Sequence, residues 1–400
     1  MKKNKLTNIL LLLSFIVLIF GSGYKIGEYK SRFTSSNPST YSQQPSVNFD
    51  LFWETWNKLQ ERYVDQKKLD PKKMYLGAIK GMVASVEDPY TFFLTPDENK
   101  QTKDDLGGKF EGIGAQLGLK DNRIIIIAPL KKSPAELAGA KAGDYINKVD
   151  GVSTEKWTLS QAVSKIRGAK NTKVKLTLER NSKEIDITIV RQQIVVESVE
   201  LSYEKKIAII KVNQFGDNTN DEWNKAVQEI SSKWSSKQVT GLVLDLRDNP
   251  GGYLDSSVYL ASEFLPLGKL VVKQEAPLYG DKEYVVSRIG LLKEIPIVVL
   301  INKGSASASE ILAGALRDNN RAQLVGEKSF GKGSVQEALD LKEGAGLHVT
   351  VAKWVLPNGD WINGKGIDPK IKVVNEIKDG NTITKESDKQ LEKAIVLLTK

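Results

Sequence analysis

Three serines and one lysine carry the first chemical possibility in this sequence. Ser305, Ser307 and Ser309 alternate with small residues in Asn-Lys-Gly-Ser-Ala-Ser-Ala-Ser-Glu, and Lys332 follows in Ser-Phe-Gly-Lys-Gly-Ser. A serine hydroxyl attacks a carbonyl only if a base takes its proton. The chain has a single histidine, His348, inside an alternating pattern at 347–354 that reads as a strand. It shares a face there with Thr350, Ala352 and Trp354, which favours a structural role over a Ser-His-Asp triad. Lys332 is the better base. Gly331 and Gly333 on either side allow the backbone to approach another element closely, and a lysine pressed into such a place is desolvated. Bringing an ordinary lysine to neutrality near pH 7 costs about 4.6 kcal/mol, so the whole ammonium must be buried.

The surrounding elements must place these groups. Residues 297–301 (Ile-Val-Val-Leu-Ile) are a short β-branched run and predict a buried strand. Residues 310–316 carry apolar side chains at helical spacing. The serines therefore fall on a strand-to-helix turn, where free backbone N–H groups either receive an ordinary serine cap or face an oxyanion. Gly326-x4-Gly331-Lys332 also overlaps a phosphate-binding loop pattern. That pattern needs Ser or Thr directly after the lysine and a helix beyond it. Here Gly333 stands in that place and the following residues read as a strand.

The Ser-Ala-Ser-Ala-Ser-Glu and Phe-Gly-Lys-Gly segments resemble the C-terminal processing peptidases, also called tail-specific proteases. The resemblance implies that Ser307 is the nucleophile, Lys332 the general base and Gln336 the residue that orients the lysine. Asp318 is a further candidate from the same resemblance; a helix-end carboxylate beside Arg317 and Arg321 also reads as a structural ion pair. In Asp245-Leu-Arg-Asp-Asn-Pro-Gly-Gly the family finds an oxyanion-hole donor. This falls on the N–H of Gly252, with Gly251 as the alternative, and the second donor is the N–H of Ala308. Asp248 stands where the family usually has Asn.

Residues 110–191 carry several strand patterns and two short helices. Phe110-Glu-Gly-Ile-Gly-Ala, with Ser-Pro-Ala-Glu-Leu-Ala-Gly and Ala-Gly-Asp-Tyr-Ile further on, resembles the PDZ domains. Gly112, Ile113, Gly114 and Ala115 would then form a nest of N–H groups for a peptide's terminal carboxylate, and the peptide would add as a strand beside it. Arg167 lies at the end of the helix that should line the groove. It reads as a candidate sensor or as a surface charge capping that helix.

Composition bounds the rest. The net charge of +9 over 400 residues is modest and the lysines are scattered, so nucleic acid is not an expected partner. The chain has no cysteine, which excludes disulfides and thiol catalysis, and its single histidine argues against a zinc site. No cofactor is expected. Lys2, Lys3 and Lys5 precede an apolar run, and the 19 residues from 6 to 24 would span about 28 Å as a helix, close to a bilayer core. Residues 1–24 therefore read as a membrane anchor or signal segment with the bulk of the chain outside. Signal removal and secretion is the alternative. Residues 25–47 read as a flexible tether.

Phe49, Phe52, Trp53, Trp56, Leu59 and Tyr63 recur at helical spacing, a face that packs on the protein's own core or on a second copy in a homodimer. The expected architecture is multidomain α+β: an N-terminal helical segment at 48–96, a PDZ domain at 97–192, and a crotonase/ClpP-like α/β peptidase core at 193–400. The function implied is that of an exported, membrane-tethered serine endopeptidase acting on protein or peptide substrates with free apolar C-termini. A PDZ-type peptide-binding scaffold with an inactive core is the alternative.

Overall fold

The computed structural model describes residues 47–120, 123–130, 132–141, 143–157, 159–375 and 387–399. The apolar run at 6–24 and the tether up to residue 46 lie outside the described residues. Among the described residues no helix is long and apolar enough to cross a membrane.

The chain divides into two units, residues 1–74 and 75–400. In the first, helix Asp50–Arg62 carries the expected aromatic face and has no buried residue. Its rings contact one another, with the Phe52 and Trp53 centroids 5.1 Å apart. The next helix, Pro71–Ala84, begins where Asp70-Pro71 predicts. Asp70 Oδ1 accepts from the N–H groups of Lys72 and Lys73, which would otherwise lack partners in the first turn.

The second unit is built around a six-stranded sheet in the order Val199–Glu204, Ile207–Val212, Gly241–Asp245, Ile297–Ile301, Gln323–Gly326, Ile371–Lys372. The first pair is antiparallel and the others are parallel. Parallel strands covered on both faces need apolar residues throughout, and all five residues of Ile297–Ile301 are buried. Alternate residues face opposite layers. Ala208, Ile210, Leu242, Leu244, Val299 and Ile301 join a core with helices Thr219–Ser235, Leu254–Ala261 and Ala308–Asp318. Ile209, Val243, Val298, Leu300 and Val325 pack instead on the C-terminal helix Lys389–Leu398 through Ala394 and Ile395.

A second, antiparallel sheet covers the other side of the first helical layer. It pairs Phe92–Leu94, Gly346–Val355, Leu270–Glu275 and Lys282–Val285, with Ser334–Asp340 also on Gly346–Val355. Trp354, Val271 and Val272 enter the same core from this side. The lysine loop, residues 327–333, joins the two sheets. A strand follows it rather than a helix, which removes the phosphate-loop reading.

Residues 115–190 form a separate sheet in the order Ala115–Lys120, Arg123–Pro129, Tyr145–Val149, Lys173–Arg180, Lys183–Val190, around a core of its own that includes Ile126, Ile146, Leu176 and Leu178. The chain reaches and leaves this domain through one antiparallel pair, Lys109–Gly112 with Gln192–Val195.

Candidate active site

Strand Ile297–Ile301 runs into the serine turn, and helix Ala308–Asp318 starts directly after Ser307. The turn separates the three serines by their partners. Ser305 is fully buried; its Oγ donates to the carbonyl of Leu246 and accepts from the N–H of Asn302. Ser309 is equally buried and donates to the carbonyl of Asn249. Both stitch the turn to the loop after strand Gly241–Asp245. Ser307 Oγ is in neither seam. Its backbone is at φ 54° and ψ −116°, a region costly for any residue with a Cβ.

Glu310, one turn into the helix, is fully buried and holds the site together. Its Oε2 accepts from the N–H of Ser307 and from the N–H of Lys332, each at 2.9 Å. The two amide nitrogens are therefore no further apart than twice that distance. Its Oε1 accepts from the N–H of Gly331 and the hydroxyl of Ser329. Burial pushes the Glu310 carboxyl above its ordinary range, and these four donors work against that rise. Sequence reasoning assigned Glu310 no role. The Ser-x-x-Glu spacing of a capping box at 307–310 was the signal available.

Lys332 is substantially buried, which lowers its pKa, while the carboxylates of Asp88 and Glu310 push it back up; the balance lies below the ordinary lysine value. Its Nζ sits 5.1 Å from the ring centroid of Tyr90. No hydrogen bond joins Lys332 Nζ to Ser307 Oγ or to Gln336 among the described residues. Gln336 Nε2 instead donates to Ser334 Oγ at 2.8 Å and Thr350 Oγ1 at 3.2 Å. His348 stacks on Phe92 with centroids 4.7 Å apart, and burial followed by the Lys332 charge lowers its pKa.

The Gly-Gly loop lies against the serine turn. A Cβ built at Gly251 would meet Ser307 Cβ at 2.8 Å and the Ala308 nitrogen at 3.1 Å. Gly251 is not a free donor, because its N–H is held by Asn249 Oδ1 at 2.9 Å. Gly252 bridges to Phe215 through the groups on either side of it: Phe215 N–H donates to Gly251 O, and Tyr253 N–H to Phe215 O. The N–H groups of Gly252 and Ala308 have no acceptor among the described residues. Asp248 is at φ 59°, a left-handed position that Asp and Asn tolerate alike, and is tied to the Asn302 side chain.

Asp318 closes the helix eleven residues after Ser307, about 16 Å along its axis. Its carboxylate accepts from Arg317 Nε and Asn358 N–H. Arg317 and Asn358 are its partners in the structure. A second buried network went unread in the sequence. Arg247 bridges Asp245 and Asp388, and Asp388 caps the C-terminal helix, so the strand that carries the Gly-Gly loop is tied to the end of the chain.

In the smaller domain a groove is lined by Phe110, Ile113, Gly114, Leu117, Val163 and Arg167. Strand Ala115–Lys120 is at the edge of its sheet, so its outer side is open to an added strand. Gly114 is at φ 69°, and a Cβ there would come within 2.6 Å of Ser133 Cβ. Arg167 is not a free surface charge. Its Nη1 donates to both carboxylate oxygens of Asp105, at 2.7 and 2.9 Å, and its guanidinium lies over the Phe110 ring.

A mixed α/β core with a serine turn, a buried lysine and a glycine loop, joined to a peptide-groove domain, describes the serine peptidases that carry a PDZ domain. The family model described as Peptidase family S41 matches residues 206–373, and that of the PDZ domain matches residues 98–179. A CtpA-like serine protease of Staphylococcus aureus (strain COL) is 42% identical over 310 residues, 77% of this chain and 61% of that protein. The carboxy-terminal processing protease CtpB of Bacillus subtilis is 39% identical over 330 residues, 81% of this chain and 67% of that protein. Among solved structures, a photosystem II D1 C-terminal processing protease aligns with a TM-score of 0.55 at 28% identity, covering 88% of this chain and 97% of its own. The chain belongs to the C-terminal processing peptidases of family S41. It spans 61% of the length of the staphylococcal relative.

Proposed function

We propose that this chain is a serine endopeptidase that acts through Ser307 and Lys332. The observation that carries the reading is the Glu310 carboxylate, whose single oxygen Oε2 holds the backbone N–H of both residues. Neutral Lys332 takes the proton from Ser307 Oγ as that oxygen attacks the peptide carbonyl. The N–H groups of Gly252 and Ala308 receive the negative charge that forms on the carbonyl oxygen. The ammonium of Lys332 then gives its proton to the leaving amine, and an acyl ester remains on Ser307. Water, deprotonated by Lys332, releases the second product. Gln336 has its amide nitrogen engaged with Ser334 and Thr350. Its amide oxygen is then the acceptor that Lys332 would meet on moving toward Ser307.

The PDZ domain is the site at which a substrate's free apolar C-terminus binds, with Gly112, Ile113, Gly114 and Ala115 meeting the carboxylate and the groove beside Ile113 and Leu117 taking the last side chain. Residues 1–24 tether the protein to a membrane, with the catalytic part on the extracytoplasmic side. The aromatic face of Asp50–Arg62 pairs two copies. The test is cleavage of an unfolded protein with an apolar C-terminus by the chain and by Ser307→Ala. Loss of cleavage in a folded Ser307→Ala variant is expected. Equal cleavage by both would leave the peptide-binding scaffold as the function.

A further inference from the structure

Residues 88–91 precede both matched domains, yet they reach the site. Strand Phe92–Leu94 pairs with the catalytic sheet in the register Phe92 to His348, which fixes the preceding residues beside Lys332. The hydroxyl of Thr91 accepts from the N–H of Thr350 at 3.0 Å and donates to Asp88 Oδ2 at 2.6 Å. Asp88 Oδ1 accepts from the N–H of Tyr90. Thr350 in turn accepts from Gln336. A continuous set of hydrogen bonds thus runs from the proposed orienting glutamine to Asp88, and the Tyr90 ring lies under the Lys332 ammonium at 5.1 Å, within cation–π reach.

We propose that Asp88 and Tyr90 are positioning residues for Lys332, the ring seating its ammonium and the carboxylate stabilising its charged form between turnovers. This rests on Lys332 being the base. Four ionisable groups face that ammonium: Asp88 and Tyr90 from this segment, Glu310 from the helix after Ser307, and His348 from the paired strand. Lys332 Nζ has no ion pair or hydrogen bond of its own among the described residues. Its place is therefore set by a ring face and by charges at a distance, contacts that it can leave readily to reach Ser307. Asp88 stays ionised, since hydrogen bonds from Thr350, Thr91 and Tyr90 N–H together with the Lys332 charge outweigh its burial.

The experiment follows the titration of Lys332 in the full chain by NMR of 13C-methylated lysines, with its signal assigned by loss in Lys332→Arg. The pH profile of kcat/KM on an unfolded protein is measured alongside. Asp88→Asn keeps the shape and removes the charge. Its Lys332 midpoint is expected to fall, and kcat/KM on the acid limb to rise roughly threefold or more, as expected from removing a full opposite charge nearby. Tyr90→Leu should move the midpoint the same way and Tyr90→Phe, which keeps the ring, should restore it. An unmoved Lys332 titration in both Asp88→Asn and Tyr90→Leu, with thermal unfolding unchanged, overturns the proposal. A titration that moves in a chain without peptidase activity upholds the placement and overturns the catalytic reading instead.

Discussion

Ser307 is the one active-site residue whose removal should make the protein more stable, provided that glycine replaces it. Its φ of 54° with ψ of −116° lies outside the regions open to residues with a Cβ. Holding such a residue there costs about 1–3 kcal/mol. Glycine accepts the conformation but gives up roughly 0.5–1 kcal/mol through its greater freedom in the unfolded chain. Relative to Ser307→Ala, which lacks the hydroxyl and keeps the strain, Ser307→Gly should gain about 0.5–2 kcal/mol. Ser307 Oγ takes part in neither buried seam, so its loss should add little to this difference. Urea unfolding of the peptidase core reports the effect, with the fully buried Trp223 and nearly buried Trp354 as fluorescent reporters. With a slope of about 2–3 kcal/mol/M, the midpoint of the glycine variant should lie roughly 0.2–1 M above that of the alanine variant. Both variants should be inactive. A glycine variant that unfolds at the same or lower urea would show that the turn stores no strain at Ser307.

Other outcomes follow from the same geometry. Ser305→Ala leaves the Asn302 N–H without a partner in the interior and the Leu246 carbonyl with only the long contact from Asn249 N–H, and should destabilise by about 1–3 kcal/mol, read by the same unfolding curves. Glu310→Gln turns one acceptor into a donor facing two other donors, so kcat should fall at least tenfold, whereas Asp318→Asn should disturb stability far more than kcat. Because burial holds Lys332 below the ordinary lysine value and the base must be neutral, kcat/KM should rise with pH through that depressed midpoint, and Lys332→Arg should be inactive at every pH. Arg247→Met strands the buried carboxylates of Asp245 and Asp388 and should cost about 3–5 kcal/mol by thermal or urea unfolding.

The serine turn, the following helix and the PDZ strands were legible because each rests on a short-range rule. A β-branched run of five gives the buried strand at 297–301, and small residues before a 3.6-residue apolar period give the turn and helix. Asp70-Pro71 likewise announces a helix start. The relations between distant segments were not legible. Nothing in the residues around 88–91 says that they end beside Lys332; that follows from a strand pairing across more than 250 positions. The occupancy of the Gly251 N–H by Asn249 depends on a loop conformation that no periodicity encodes. Arg167 looked like a helix-end charge because its partner, Asp105, lies 62 residues away. Asp318 is a relay candidate by resemblance alone, and the ion pair with Arg317 is the alternative that its neighbours in the sequence already offer.

The pair Lys109–Gly112 with Gln192–Val195 has a consequence for how this protein can be altered. The chain leaves the body and comes back at cross-strand partners, Gly112 opposite Gln192. An excursion of nearly eighty residues thus begins and ends at almost one point. Whatever is grafted between those two residues needs only termini that lie side by side, and a tight hairpin could close the gap with none of the catalytic strands rerouted. The PDZ domain is in this sense a cartridge on a two-stranded stem. Exchange of the cartridge would replace the PDZ groove while leaving Ser307, Lys332 and Glu310 in the register that their own strands impose.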